Sequence, residues 1–160
     1  MKFYLDSSVM VKRYVSETDS STVDHVFDKG WAGELSMATS IWNIGEVLGV
    51  LDERRRRKWL DENEFARALE SFTGETIRLL HLKILEVLPV LNPMLLETWP
   101  LILKEHVYEA DALQIQTCIY SDSDILLSSD KELISAALKT GVKAVNVKDK
   151  NRVRELLNGK

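Results

Sequence analysis

The chain has 160 residues, 45% of them hydrophobic and 29% charged, with a formal net charge of −4. That length suits a single domain spanning 1–160 with a real hydrophobic core. The acidic balance excludes a uniformly basic nucleic-acid coat, so any nucleic-acid contact must be local, or cations must reverse the sign at the site.

Phe3-Tyr4-Leu5 reads as a buried strand ending at Asp6. Ser7 and Ser8 can cap a short helix through Val9 to Tyr14. Val23, Val26 and Phe27 have helical spacing, and Gly30 is expected to end that helix. Residues 35–38 read as a second strand, after which Thr39 or Ser40 caps a long helix from Ile41 to about Lys58. Another helix starts at Asp61 and is expected to stop at Gly74, with 76–81 a separate helical stretch. Residues 84–90 read as a third strand. Asn92 caps, and Pro93 opens, a helix that Trp99-Pro100 should kink or break. Residues 108–120 are helical. Asp122-Ser123-Asp124 turns into the strand 125–127. Asp130 begins a helix ending at Gly141, 142–147 is a last strand and 149–157 a last helix. Strands alternate with helices throughout, which predicts an α/β sandwich with a mostly parallel central sheet.

The single cysteine, Cys118, allows no internal disulfide and reads as a buried, reduced thiol of a cytosolic protein. His25, His81 and His106 fall in no nucleophile motif and show no zinc-ligand spacing. The N-terminus turns acidic too early for a signal peptide. The longest apolar stretch, 84–91, is interrupted by Glu86 and Pro89, so a membrane span is not expected.

Parallel sheets place ligands outside the carboxyl ends of their strands. Asp6 and Asp130 fall at or just past such ends. Each could equally be a helix cap. Glu46 is the only charge in the run Ile41 to Leu51, where a carboxylate either faces a narrow solvent stripe or is held inside for a purpose. Gly45 and Gly49 lower helix propensity there, which suggests that another element packs closely. Asp111 sits near a helix start, where the dipole favours it.

Order and context of these acids resemble the PIN-domain nuclease pattern. An aspartate ends the first strand with hydroxyl residues behind it, as in Asp6-Ser7-Ser8. A glutamate follows on the helix after the second strand, as in Asn43-Ile44-Gly45-Glu46-Val47-Leu48. A third acid opens a late helix, as in Asp111-Ala112-Leu113. A fourth follows the next strand, as in Ser128-Ser129-Asp130, with serine at 128 where threonine is commoner. The closing Gly141-Val142-Lys143-Ala144-Val145 also looks like the family's final strand.

The resemblance implies a three-layer α/β/α sandwich in which Asp6, Glu46, Asp111 and Asp130 are the catalytic residues and hold magnesium or manganese, directly or through waters. Ser8 and Ser128 would support the ligands or the scissile phosphate. Two hard cations about 4 Å apart can activate water and stabilise the leaving oxygen of a phosphodiester. The implied substrate is RNA, single-stranded or looped. The implied role is a cytoplasmic endoribonuclease toxin, silenced by a cognate antitoxin and homodimeric. The alternative is a non-catalytic PIN-like module that binds RNA or protein. A phosphatase with an aspartate nucleophile usually needs a second acid at the place Ser8 occupies.

Arg54, Arg55, Arg56 and Arg57, with Lys58, form the sharpest basic feature. They read either as a solvated helix end paired with nearby acids or as phosphate contacts outside the acidic pocket, joined by Lys12 and Arg13. Trp31, Trp42, Trp59 and Trp99 read as core or interface anchors rather than base-stacking platforms. The apolar segment 87–103 exceeds what a small core needs and predicts the homodimer contact.

Overall fold

Phe3 and Leu5 on one side of the first strand, and Tyr4 on the other, each belong to a separate buried cluster. That alternation reflects the period of two along a strand and means that both faces of the sheet are covered. The computed structural model describes residues 1–159. In chain order its elements are β1 (Lys2–Leu5), α1 (Ser7–Tyr14), α2 (Ser20–Trp31), β2 (Ser36–Ser40), α3 (Ile41–Arg56), α4 (Glu62–His81), β3 (Leu85–Leu88), α5 (Asn92–Glu105), α6 (Glu109–Tyr120), β4 (Ile125–Ser128), α7 (Lys131–Lys139), β5 (Ala144–Asn146) and α8 (Lys150–Leu157).

The five strands are all parallel, in the order β3-β2-β1-β4-β5. Phe3 lies opposite Met37 on β2 and Ile125 on β4. Phe3, Leu5, Met37, Leu85, Ile125 and Leu127 pack with residues of α1, α2, α3, α4 and α8. Tyr4, Ala38, Leu88 and Leu126 pack with residues of α5, α6 and α7. The result is the expected three-layer sandwich. The chain leaves β1 toward β2 and β3, then returns to β4 on the other side of β1. The gap between the ends of β1 and β4 is therefore a topological switch point, where open parallel sheets form a crevice.

Several local expectations are corrected. Gly74 does not stop a helix. α4 starts at a capping box between Asp61 and Glu64 and runs through Gly74 to His81. Its buried face, Ala68, Phe72, Thr76 and Leu79, keeps helical spacing across the glycine, so packing overrides a propensity cost of about 1 kcal/mol. Gly30 is the next-to-last residue of α2, one position before its end, and an added Cβ there would stand 2.9 Å from Met37 Cε and 3.2 Å from Ile84 Cγ2. Close approach to the sheet explains that glycine. Gly45 and Gly49 face open space, so the close packing expected there is absent. α5 continues through Pro100, and its N-cap is Leu91, one residue before the expected Asn92.

None of the four tryptophans is a core residue: Trp31, Trp42, Trp59 and Trp99 are 37%, 48%, 65% and 58% exposed. Cys118 is buried and unpaired as expected, and burial pushes its thiol up to about 12. Among the described residues, no helix is long and apolar enough to cross a membrane.

Candidate functional site

Asp6 occupies the N-cap position of α1 in extended conformation, yet its carboxylate caps no helix amide. Its Oδ2 instead accepts the hydroxyls of Ser8 and Ser128, both at 2.6 Å, and its Oδ1 accepts Ser7 Oγ at 3.2 Å. Ser128 Oγ also accepts the Asp130 amide at 2.9 Å, and Ser8 Oγ accepts the Ser129 amide at 3.0 Å. The Asp6 amide donates to the Leu127 carbonyl at 3.2 Å. The two strand ends are thus laced together around one nearly buried carboxylate, 6% exposed.

Glu46 is half-buried on α3. Its Oε1 accepts the Trp42 indole N–H at 2.9 Å, and its Oε2 accepts the Gln114 side-chain amide at 3.2 Å. Asp111 is half-buried in the first turn of α6. Its carboxyl is pushed up from 3.8 to about 6, first by burial and then by the charges of Asp130, Asp6, Glu46 and Glu132. Charges raise a carboxyl pKa in this way only when they are near. Asp130, Asp6, Glu46 and Glu132 therefore all lie within electrostatic range of Asp111.

Asp130 is exposed and does act as a cap. Its Oδ1 accepts the amides of Glu132 at 2.7 Å and Leu133 at 3.2 Å at the start of α7. Among the described residues, no three His, Cys, Asp or Glu side chains stand together at the spacing of a single ion's ligands. The donor set is all-oxygen, and the mutual repulsion that raises Asp111 is what a hard divalent cation relieves, so these residues suit magnesium or manganese in chemistry.

The basic residues behave differently from one another. Lys12 is buried and paired with Glu17. Arg13 is held by Asp24 at 2.8 Å and by both oxygens of Glu75, and stacks on Phe27. Both cations are thus engaged by carboxylates of this chain. Arg54 pairs with Glu17, Arg55 with Asp52 at 2.8 Å and Glu62 at 3.9 Å. Arg56 and Arg57, at the last residue and the C-cap of α3, pair with Asp52 and Glu53, with side chains 69% and 55% exposed.

Trp42, Gln114 and Asn43 belong to the surroundings of Glu46 although no sequence motif marks them as site residues. Gln114 and Asn43 are buried amides on α6 and α3, and Gln114 bonds both Asn43 and Glu46. The available signal was a neutral amide flanked by core residues, Leu113 and Ile115 around Gln114.

The chain matches the PIN domain family model over residues 3–139. No curated protein matches it in sequence. Its structure is similar to the Pyrobaculum aerophilum protein PAE2754 at TM-score 0.65 and 17% identity, covering 96% of each chain. It is similar to FitAcB from Neisseria gonorrhoeae at TM-score 0.67 and 15% identity, covering 92% of this chain and 99% of that one. It is also similar to Mycobacterium tuberculosis VapC20, a sarcin-ricin loop cleaving toxin, at TM-score 0.60 and 16% identity, covering 84% and 94%. At these identities the likeness shows the fold, whereas the family model spans most of the sequence: the chain belongs to the PIN domain family.

Proposed function

We propose that this protein is a divalent-metal-dependent endoribonuclease, the toxin of a toxin–antitoxin pair. One observation carries the reading: the carboxyl of Asp111, remote in sequence from Asp6 and Glu46, is raised first by burial and then by the charges of Asp130, Asp6 and Glu46. Acids crowded at a cost to the fold are the mark of a functional site rather than of independent helix caps. The toxin role draws on the fold shared with VapC20, which is described as cleaving the sarcin-ricin loop.

Asp6, Glu46, Asp111 and Asp130 would hold magnesium or manganese. When bound, the metal supplies an activated water and neutralises charge on the leaving oxygen of the phosphodiester. The chain's own part is preorganisation. Ser8 and Ser128 hold Asp6 Oδ2 from two sides, and Trp42 and Gln114 hold Glu46. No protein nucleophile is required. Arg56 and Arg57, on the exposed end of α3, are the residues of the basic run best placed for phosphate contact. Leu91, Leu96, Trp99 and Leu103 are 44%, 54%, 58% and 78% exposed on and beside α5. That apolar surface supports a homodimer, which light scattering at micromolar concentration checks.

The deciding experiment is Asp6→Asn, assayed for RNA cleavage with manganese and with excess chelator as control. Asn at position 6 keeps the size of Asp and one acceptor oxygen for the serine hydroxyls, so the variant should fold. Cleavage should nearly vanish. Unchanged cleavage by the variant, or wild-type cleavage that persists in excess chelator, rules the mechanism out.

A further inference from the structure

A buried chain of hydrogen bonds joins the elements that carry three of the four acids. The Gln114 amide, on a residue 3% exposed, donates to Asn43 Oδ1 at 2.5 Å and to Glu46 Oε2 at 3.2 Å. The Gln114 carbonyl accepts the Tyr4 hydroxyl at 2.7 Å. Asn43 donates to the Leu5 carbonyl at 3.0 Å, one residue before Asp6, and its Oδ1 also accepts the Ser40 hydroxyl at 2.8 Å. Tyr4 and Asn43 are both 0% exposed. Gln114 itself stands about one helical turn after Asp111 on α6. A single side chain therefore touches Glu46 directly, the support of Asp6 through Asn43, and the helix that carries Asp111.

A leucine at 114 would leave the Tyr4 hydroxyl without its acceptor and Glu46 without the Gln114 amide. A buried amide is tolerated only where its hydrogen bonds are made, and once they are made it is held in one geometry. The Trp42 contact with Glu46 lies within α3 and cannot set the distance between helices. The Gln114 contact crosses from α6 to α3 and can.

We propose that Gln114 is a positioning residue: it sets the spacing of Glu46 relative to Asp6 and Asp111, and thereby the affinity of the pocket for a divalent cation. This rests on the metal-dependent reading above. Residues that orient metal ligands without touching the metal change affinity by roughly 10–100-fold when replaced.

The test uses the wild type, Gln114→Met and the double variant Tyr4→Phe/Gln114→Met. Manganese binding is measured by calorimetry and thermal unfolding is measured without metal. Gln114→Met leaves the Tyr4 hydroxyl without its partner, so it should unfold at a lower temperature and bind manganese at least tenfold more weakly. Adding Tyr4→Phe removes the stranded hydroxyl, so stability should largely return while the weak manganese binding remains. Affinity that recovers together with stability would show a merely structural role and overturn the inference, as would wild-type affinity in Gln114→Met. A wild-type protein that binds no manganese would overturn the metal reading itself, a different outcome from manganese binding indifferent to residue 114.

Discussion

Ser128 donates its hydroxyl to Asp6 Oδ2 at 2.6 Å across 122 residues of sequence. The bond ties the end of β4 to the end of β1 at the switch point of the sheet, and the same oxygen of Ser128 accepts the Asp130 amide. Ser128→Ala would remove a charge-assisted bond and strand an amide. We expect a loss of about 2 kcal/mol, read as a lower unfolding temperature without metal, together with weaker manganese binding. Unchanged stability would mean that Ser8 alone suffices to hold Asp6.

Asp111 gives a pH signature. Its folded pKa, about 6, lies above its ordinary value of 3.8. The folded protein therefore holds this proton more tightly than the unfolded chain does, and the associated stability is present below pH 4 and lost as pH rises through 6. For a half-buried side chain, solvent screening leaves roughly 1–2 kcal/mol of that effect. Asp111→Asn should be more stable than the wild type at pH 7, with the advantage disappearing near pH 4. Denaturant titrations of both proteins across that range check it, and parallel pH profiles would contradict it.

Glu75 carries the opposite sign. Burial alone would raise its carboxyl, but Arg13 and the Trp31 indole overcome that and hold it below the ordinary range. The two oxygens accept Arg13 at 3.0 and 3.1 Å, and Trp31 Nε1 reaches Oε1 at 2.8 Å. Stability from this pair is present above the unfolded pKa and lost as pH falls through the folded one. Glu75→Gln leaves Arg13 largely buried with only Asp24, at an expected cost of about 3 kcal/mol at pH 7. Urea unfolding should show the deficit shrinking in acid.

Gly49 and Gly74 lie inside helices with open space where a Cβ would go. Replacing either by alanine should stabilise the protein by roughly 1 kcal/mol, or about 2–4 °C in unfolding temperature for a chain of this size. A fall in Tm for either variant would mean that its glycine does something the structure does not reveal.

Locally each acid reads as a helix cap or a solvent-facing charge, and the resemblance to the PIN-domain pattern singles out the four. Asp6 and Asp130 follow short apolar runs, and Asp111 opens a helical pattern. Those features depend on residues within one or two helical turns, which is why they are legible. The interrupted pattern at Gly74 misled because one glycine's propensity was weighed against a face of Phe72, Thr76 and Leu79 that tertiary packing rewards more. Of the two readings for the tryptophans, core or interface, exposure removes the core one, because size and apolarity favour burial only on average.

By itself, then, the sequence determined the alternation of strands and helices, the parallel sheet, and the placement of carboxylates after strand ends, since hydrophobic period and turn chemistry are local. Only the tertiary structure decided which groups meet. It turned Asp6 from a cap into an acceptor of two serine hydroxyls, left Asp130 as a cap, and committed Lys12 and Arg13 to Glu17, Glu75 and Asp24. It also set Gln114 between Asn43 and Glu46. Those contacts join side chains from different elements, and their hydrogen bonds exist only once helix and sheet packing has brought the partners within about 3 Å.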